Sequence, residues 1–513
     1  MLSAPARDEV SLPMADGLGD LVAAGLRAER LTLTGEDRER MVGSVSDLDN
    51  WVAAGHDVYG VTRGFGPLVR YPAATDRHEQ GLNLIHHLCV GQGRPLSPAA
   101  SRLLVWLRLQ SMRLGHSAVP PETWESIADL AGAGLVPVVP SEGSVSASGD
   151  LVPLAHAAQA FAGLGTAWWS GRPVPAERVI RRVGGRRVHW SGRTALAFVN
   201  GCGASLALTM LNHVEAAGQA RAAAALTARL VELLGCSREP YAEPVHRVRP
   251  HPGQQQAARW IEEDLVCSPP PDESRPLQEP YSLRCAPQVI GAVLDQLALQ
   301  EQPLLREATG CTDNPVVADG AVWHAGNFHA APGGLVSDVL SLCVHQLAYL
   351  AERQLALVVD PAHNGGRNPL LATDPGRTSG LAGVQIAASS MVAKIRQLAY
   401  PATLTAIPTN LGNQDHVPMA LNGSVAGAEI VRLGWLVLGS LGLAVVQLAR
   451  LTGTEPQPGT EWHPLHERIA PLDTDRPLAS EVRVAARITR RCWGGEALGL
   501  VQDEFDPDRA DAA

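Results

Sequence analysis

The chain has 513 residues, 45% hydrophobic and 18% charged, with a formal net charge of −10. That balance supports a sizeable packed core and excludes a largely disordered chain. An acidic surplus without any basic run argues against nucleic acid as a partner, and no leading segment has the make-up of an export signal.

In chain order, a first helix is expected around Leu21–Arg30, followed by a glycine-punctuated loop from Tyr59 to Pro67. Helical patterning resumes at Leu82–Val90 and Pro98–Leu114. Short, turn-rich pieces with β-branched residues are expected around residues 143–151 and at Arg178–Trp190. From Gly203 onward the character shifts to long helices, at Ala204–Leu234 and Leu335–Val358. Leu433–Ala449 carries no charge over 17 positions, just short of a membrane span. It also holds Gly434, Gly439, Gly442, Ser440 and Gln447, so it reads as a helix buried on all sides in a bundle and not as a membrane anchor. Pro-rich Cys267–Pro280 and Thr454–Pro464 read as loops. The expected architecture is mainly α: a mixed N-terminal region over 1–202, a long central helical bundle over 203–470 and a helical tail over 471–513.

Eight cysteines are widely spaced without a CxxC pair, which indicates neither a zinc site nor a redox motif and fits reduced thiols in the cytoplasm. No metal is expected. Lys394 is the only lysine. Pyridoxal-phosphate enzymes hold their cofactor as a lysine imine, and Lys394 lies in no recognisable cofactor motif.

The segment Gly143-Ser144-Val145-Ser146-Ala147-Ser148-Gly149-Asp150-Leu151 carries the most chemistry. If the Gly149 amide nitrogen reaches the Ala147 carbonyl carbon, a five-membered ring can close. Loss of two waters then leaves a 4-methylidene-imidazol-5-one group (MIO), an electrophile made from backbone. Glycine suits that nitrogen because it tolerates strained torsions and close approach. The tripeptide alone is not diagnostic, since average usage predicts roughly 0.2 chance occurrences in a chain of this length. With its flanks, the stretch resembles the prosthetic-group segment of the histidine, phenylalanine and tyrosine ammonia-lyases and their aminomutase relatives.

Five further segments resemble that family. Tyr59-Gly60-Val61-Thr62-Arg63-Gly64-Phe65-Gly66 is similar to its lid loop, which implies Tyr59 as base for the β-hydrogen and Gly66 as a substrate contact. His87-Leu88 matches the pair that faces the far end of the substrate side chain, a pair that resembles His-Leu in tyrosine lyases, Phe-Leu in phenylalanine lyases and Ser-His in histidine lyases. Asn200 in Phe198-Val199-Asn200-Gly201 matches an amine-orienting asparagine. Tyr281-Ser282-Leu283-Arg284 continues into a long match that implies Tyr281 as a second acid/base group or an orienting hydroxyl. Arg284 would there clamp the substrate carboxylate through its planar fork. Asn410, Asn413 and Gln414 match polar residues near the carboxylate and prosthetic group, and Phe328 matches a pocket-shaping position.

The chain departs from the family pattern at Thr309, Lys394, Arg367–Leu371 and Gly376–Leu381. The resemblance implies a fumarase/aspartase-like helical fold, an autocatalytic MIO with no diffusible cofactor, a small amino acid substrate, and a homotetramer with active sites shared between subunits. The leading reading is an ammonia-lyase converting L-tyrosine to p-coumarate. The alternatives are an aromatic 2,3-aminomutase and a histidine-lyase-like enzyme with an altered substrate.

Overall fold

Long runs of Ala, Leu and Val with few breakers decide the architecture. In a computed structural model describing residues 17–27, 30–265 and 272–494, helices Gly203–Leu234, Ala286–Thr309, Ala331–Val359 and Ala420–Thr452 form the central bundle. Helices Ala382–Leu398 and Ala479–Trp493 pack on the last of these. The chain is thus mainly helical, with the fumarase/aspartase-like architecture.

Helix Gly203–Leu234 spans about 48 Å at the usual rise per residue and stops at Gly235, whose φ of 65° makes a left-handed cap. It is buried around almost its whole circumference, so it needs no polar face. Among the described residues, three helical stretches are long and apolar enough to cross a membrane by length and composition alone. Their most apolar windows are 100%, 67% and 83% buried in the protein's own packing. The uncharged run Leu433–Ala449 is the C-terminal half of one of them, a 33-residue helix covered by its neighbours.

Its glycines are there for close approach. A Cβ on Gly434 would lie 2.5 Å from Gln219 Oε1, and one on Gly439 2.6 Å from the Ala486 backbone nitrogen. The helices so brought together are tied by buried polar groups. Asn212 Nδ2 donates to Ser424 O at 2.9 Å and Gln219 Nε2 to Val431 O at 2.8 Å. Glu215 accepts from Trp435 Nε1 at 2.7 Å and pairs with Arg490, so this buried carboxylate is not left alone.

The N-terminal region mixes helices Arg77–Leu88, Pro98–Arg113, Leu151–Phe161 and Gly192–Val199 with short antiparallel strands. Val136–Pro137, Thr166–Trp169 and Arg172–Pro175 make a three-stranded sheet in that order, while Gln92–Pro95 pairs with Pro140–Glu142. Helix Arg77–Leu88 starts before the expected Leu82 because Asp76 caps it, accepting from His78 N and Glu79 N. Arg178–Trp190, expected as turn-rich, instead opens inside helix Ala176–Arg182. The hairpin lies just before it, turned at Ser170 and Gly171, both with positive φ as a tight two-residue turn requires. The first helix is Leu18–Leu26, a little earlier than expected. The loop after Thr454 ends in helix His463–Arg468, with Pro464 in its first turn. Seven of the cysteines are described and all are free thiols; Cys267 lies outside the described residues, as does part of the Cys267–Pro280 loop.

Gly439→Val should cost about 1–3 kcal/mol, the usual range for overpacking a tight core. The measurement is the urea unfolding midpoint, and an unchanged midpoint would show that the helices do not meet this closely.

Candidate active site

The Gly143–Asp150 segment is folded back on itself. Ser146 and Gly149 have φ of 56° and 67°, and Ala147 and Gly149 bridge each other across the bend. The bend is pinned from below by Asp150, which is fully buried. Its carboxylate accepts from Ser146 Oγ at 2.7 Å, from Ser205 N at 2.7 Å and from Ser205 Oγ at 2.8 Å. Ser205 lies in the first turn of helix Gly203–Leu234, where the helix dipole favours an anion. Burial pushes the Asp150 pKa up, and these donors pull against it. Asp150 is not among the sequence-derived candidates. Its signal was an acidic residue immediately before the Leu151–Phe161 helix, at the helix N-cap.

Above the bend sits the Asn200–Gly201 turn that leaves helix Gly192–Val199. A Cβ on Gly149 would lie 2.3 Å from Gly201 O and 2.5 Å from Gly201 N, and Asp150 N donates to Gly201 O at 2.7 Å. Only glycine fits. Asn200 Nδ2 donates to Ser148 O at 2.9 Å, and Gln414 Nε2 donates to Ser148 Oγ at 2.9 Å. Asn200 Oδ1 is buried without a partner. The three residues that would form the methylidene-imidazolone are thus held in a reverse bend with a spare acceptor beside them, and the geometry fits that group.

A cavity of about 980 Å³ opens over Ser148. Tyr59, Gly66, His87, Leu88, Asn200, Asn410 and Gln414 line it together with Ala147, Ser148 and Gly149. The 59–74 loop, expected to be the lid, lines one side of the cavity. Tyr59 Oη accepts from Gly66 N at 2.8 Å, and its backbone N–H donates to His324 Nε2 at 3.1 Å. Burial raises the Tyr59 pKa, and the Gly66 N–H lowers it in part. Gly66, with φ 54°, passes close to Asn410, whose Nδ2 would sit 3.0 Å from an added Cβ. His87 Nδ1 donates to Asn83 O at 2.9 Å. In the neutral ring this tautomer leaves Nε2 as an acceptor. Sequence reading passed over Tyr71, Gln80, Leu196 and Leu411, which also line the cavity. Loop and helix faces converge there from segments with no shared motif.

Four candidates lie elsewhere in the chain. Tyr281 is 71% exposed and Arg284 stacks on it, guanidinium carbon 4.7 Å from the ring centroid. Arg284 Nε is buried without a partner. Phe328 offers its backbone carbonyl to Cys202 Sγ at 3.1 Å and does not line the cavity. Asn413 is exposed, and its backbone N–H donates to Asn410 O. No Arg or Lys is among the described residues that line the cavity.

The departures from the family pattern do not line the cavity either. Thr309 is exposed and donates its hydroxyl to Leu305 O. The 367–371 and 376–381 segments pack on each other, with Leu381 N donating to Leu370 O at 2.8 Å. Lys394 is exposed on helix Ala382–Leu398. Among the described residues no three His, Cys, Asp or Glu side chains cluster as metal ligands would.

The chain is similar to known proteins over most of its length. The aromatic amino acid lyase family pattern matches residues 17–470. The chain is 33% identical over 500 residues to a histidine ammonia-lyase of Symbiobacterium thermophilum, covering 96% of this chain and 97% of that one. Its fold superposes on the tyrosine aminomutase of Streptomyces globisporus with a TM-score of 0.86 at 27% identity, covering 95% and 97% of the two chains. It also superposes on a histidine ammonia-lyase from Trypanosoma cruzi with a TM-score of 0.83 at 26% identity, covering 96% and 94%.

The His324 bond makes the lid testable. His324 faces Asp57, Tyr59, Arg63 and Arg70 across a side cavity, and burial lowers its pKa. Only the neutral ring accepts from Tyr59 N–H, so the bond is present above that lowered pKa and lost as pH falls through it. His324→Leu should lower the hydrogen-exchange protection of the Tyr59 amide at neutral pH. Equal protection in the variant and the parent would mean that His324 does not hold the lid.

Proposed function

Because the chain belongs to the aromatic amino acid lyase family, we propose that it is the ammonia-lyase that converts L-tyrosine to p-coumarate. The observation that carries the substrate reading is His87 on the cavity wall, its ring held by the bond from Nδ1 to Asn83 O. An imidazole there can exchange a hydrogen bond with a phenolic hydroxyl, and a site built for that bond disfavours the deoxy analogue.

The methylidene-imidazolone supplies an electrophile for the substrate α-amine, so no lysine or metal is needed for that task. The chain's own groups do the rest. Asn200 Oδ1 accepts a hydrogen bond from an amine N–H and so orients the amine. Tyr59 Oη, on the lid, removes the β-hydrogen. Breaking the Cβ–H and Cα–N bonds forms the double bond and releases ammonia and the unsaturated acid. A phenol whose pKa is raised by burial is a strong base once ionised, and the Gly66 N–H steadies the phenolate.

No cationic carboxylate clamp is among the described residues that line the cavity. Arg284 has a buried, unpartnered Nε and a neighbouring exposed Tyr281. We assign both to the cavity of another copy in a homotetramer with shared sites. Exposed Leu335, Leu342 and Tyr349, seven residues apart on one face of helix Ala331–Val359, supply apolar surface for that assembly. A second reading, an aminomutase returning the amine to Cβ, is supported by the likeness to tyrosine aminomutase and by the bonds that hold the Tyr59 lid down.

Incubation with L-tyrosine, L-phenylalanine and L-histidine, following both unsaturated and β-amino acids, tests these readings. The expected result is p-coumarate, with kcat/KM for tyrosine at least roughly tenfold above phenylalanine. His87→Phe should reverse that order. Dominant turnover of histidine would overturn the substrate assignment, and β-tyrosine as main product would favour the second reading.

Shared sites make a separate prediction. Ser148→Ala and Arg284→Ala should each be inactive alone, yet subunits co-assembled from the two should regain a fraction of the parent activity. Full inactivity of the mixture would place all catalytic groups within one chain.

A further inference from the structure

Behind the Gly201 peptide lies a buried cation that the elimination does not use. Arg108, on helix Pro98–Arg113, is 1% exposed. Its Nε donates to Phe198 O at 3.1 Å, its Nη2 to Ala197 O, and its Nη1 to Thr312 Oγ1 at 2.8 Å. Ala197 and Phe198 end helix Gly192–Val199, where carbonyls lack partners in the helix and a cation is favoured. A Cβ on Gly201 would lie 1.9 Å from Arg108 Nη1 and 2.7 Å from Thr312 O. The three groups therefore form a stack: guanidinium, Gly201 peptide, Gly149.

We propose that Arg108 is a positioning residue for formation of the prosthetic group. By holding the carbonyls of Ala197 and Phe198, it fixes the Gly201 peptide as a rigid backstop. With Gly201 unable to retreat, the Gly149 nitrogen is kept pressed toward the Ala147 carbonyl carbon. Ring closure forms the bond between that nitrogen and that carbon, the amide proton passing to the carbonyl oxygen. The first water leaves with this hydroxyl and the Ser148 N–H proton. The second leaves with the Ser148 hydroxyl and its Cα proton. No oxidant or other reactant is needed.

The test follows mass, not turnover, so it stands apart from the substrate assignment. After a short expression pulse, intact-mass spectra at successive times give the rate of water loss in the parent, in Arg108→Lys and in Thr312→Val. Lysine keeps the charge but cannot span three acceptors; valine is nearly isosteric and removes one of them. Misplacing a reacting atom slightly typically costs on the order of a hundredfold. Arg108→Lys should lose water at least tenfold more slowly while keeping the parent's circular dichroism and thermal midpoint, and Thr312→Val should slow severalfold. Parent-rate water loss in folded Arg108→Lys overturns the proposal. If that variant does not fold, parent-rate loss in Thr312→Val overturns it.

Discussion

Everything at this site depends on one steric fact: the backbone of Gly201 occupies the space where a side chain on Gly149 would be. Two peptide units from segments some fifty residues apart are in contact because neither carries a Cβ. That contact forces the reverse bend through Ala147 and Gly149, and the hydrogen bond from Asp150 N to Gly201 O locks it. The long helices of the bundle supply the rigidity. Asp150 is anchored on the first turn of helix Gly203–Leu234, and that helix is bound to its neighbours by the Asn212, Glu215 and Gln219 bridges. A strained bend persists only when the surrounding structure over-determines it, and here a bundle about 48 Å long does so.

Electrostatics repeat the same theme on a smaller scale. Two buried arginines and two buried aspartates surround the Asn200–Gly201 turn, and none is left unserved. Arg193 pairs with Asp313 and also takes backbone carbonyls, while Asp150 and Arg108 are satisfied by hydroxyls, amides and carbonyls at helix ends. Charges held this way cost less than isolated buried ions and fix the turn in one arrangement. The cavity on the other side of the turn is more weakly polar, which leaves Asn200 Oδ1 as its unpartnered buried acceptor.

The helical bundle is legible in the sequence because its helices are long and few residues interrupt them; the expected Ala204–Leu234 differs by one residue from the observed start at Gly203. Short elements were less legible. The Trp169–Arg172 turn is defined by two positive φ angles, and a serine at one of them gives little warning. At the site, contiguous motifs could be read as units, and the structure gathers Tyr59, His87, Asn200 and Gln414 around Ser148. Arg108 and His324 lie outside any such motif, and Asp150 shows no role of its own within one. Their roles come from partners 55 to 265 positions away, and a lone Arg or His in a helix or loop looks like any other. Tyr281 and Arg284 show the converse limit. A motif can name residues that a single folded chain does not bring to the cavity.

A centre built from the peptide itself has no separate existence from the fold. The Gly149–Gly201 contact that shapes it cannot be diluted away, so there is no reservoir of empty protein waiting for a cofactor and no dependence on its supply. Every molecule is equipped once, as it folds. The corollary is wear: a nucleophile that captures the electrophile for good retires the whole polypeptide, and the lifetime of the catalyst becomes the lifetime of a single exocyclic carbon.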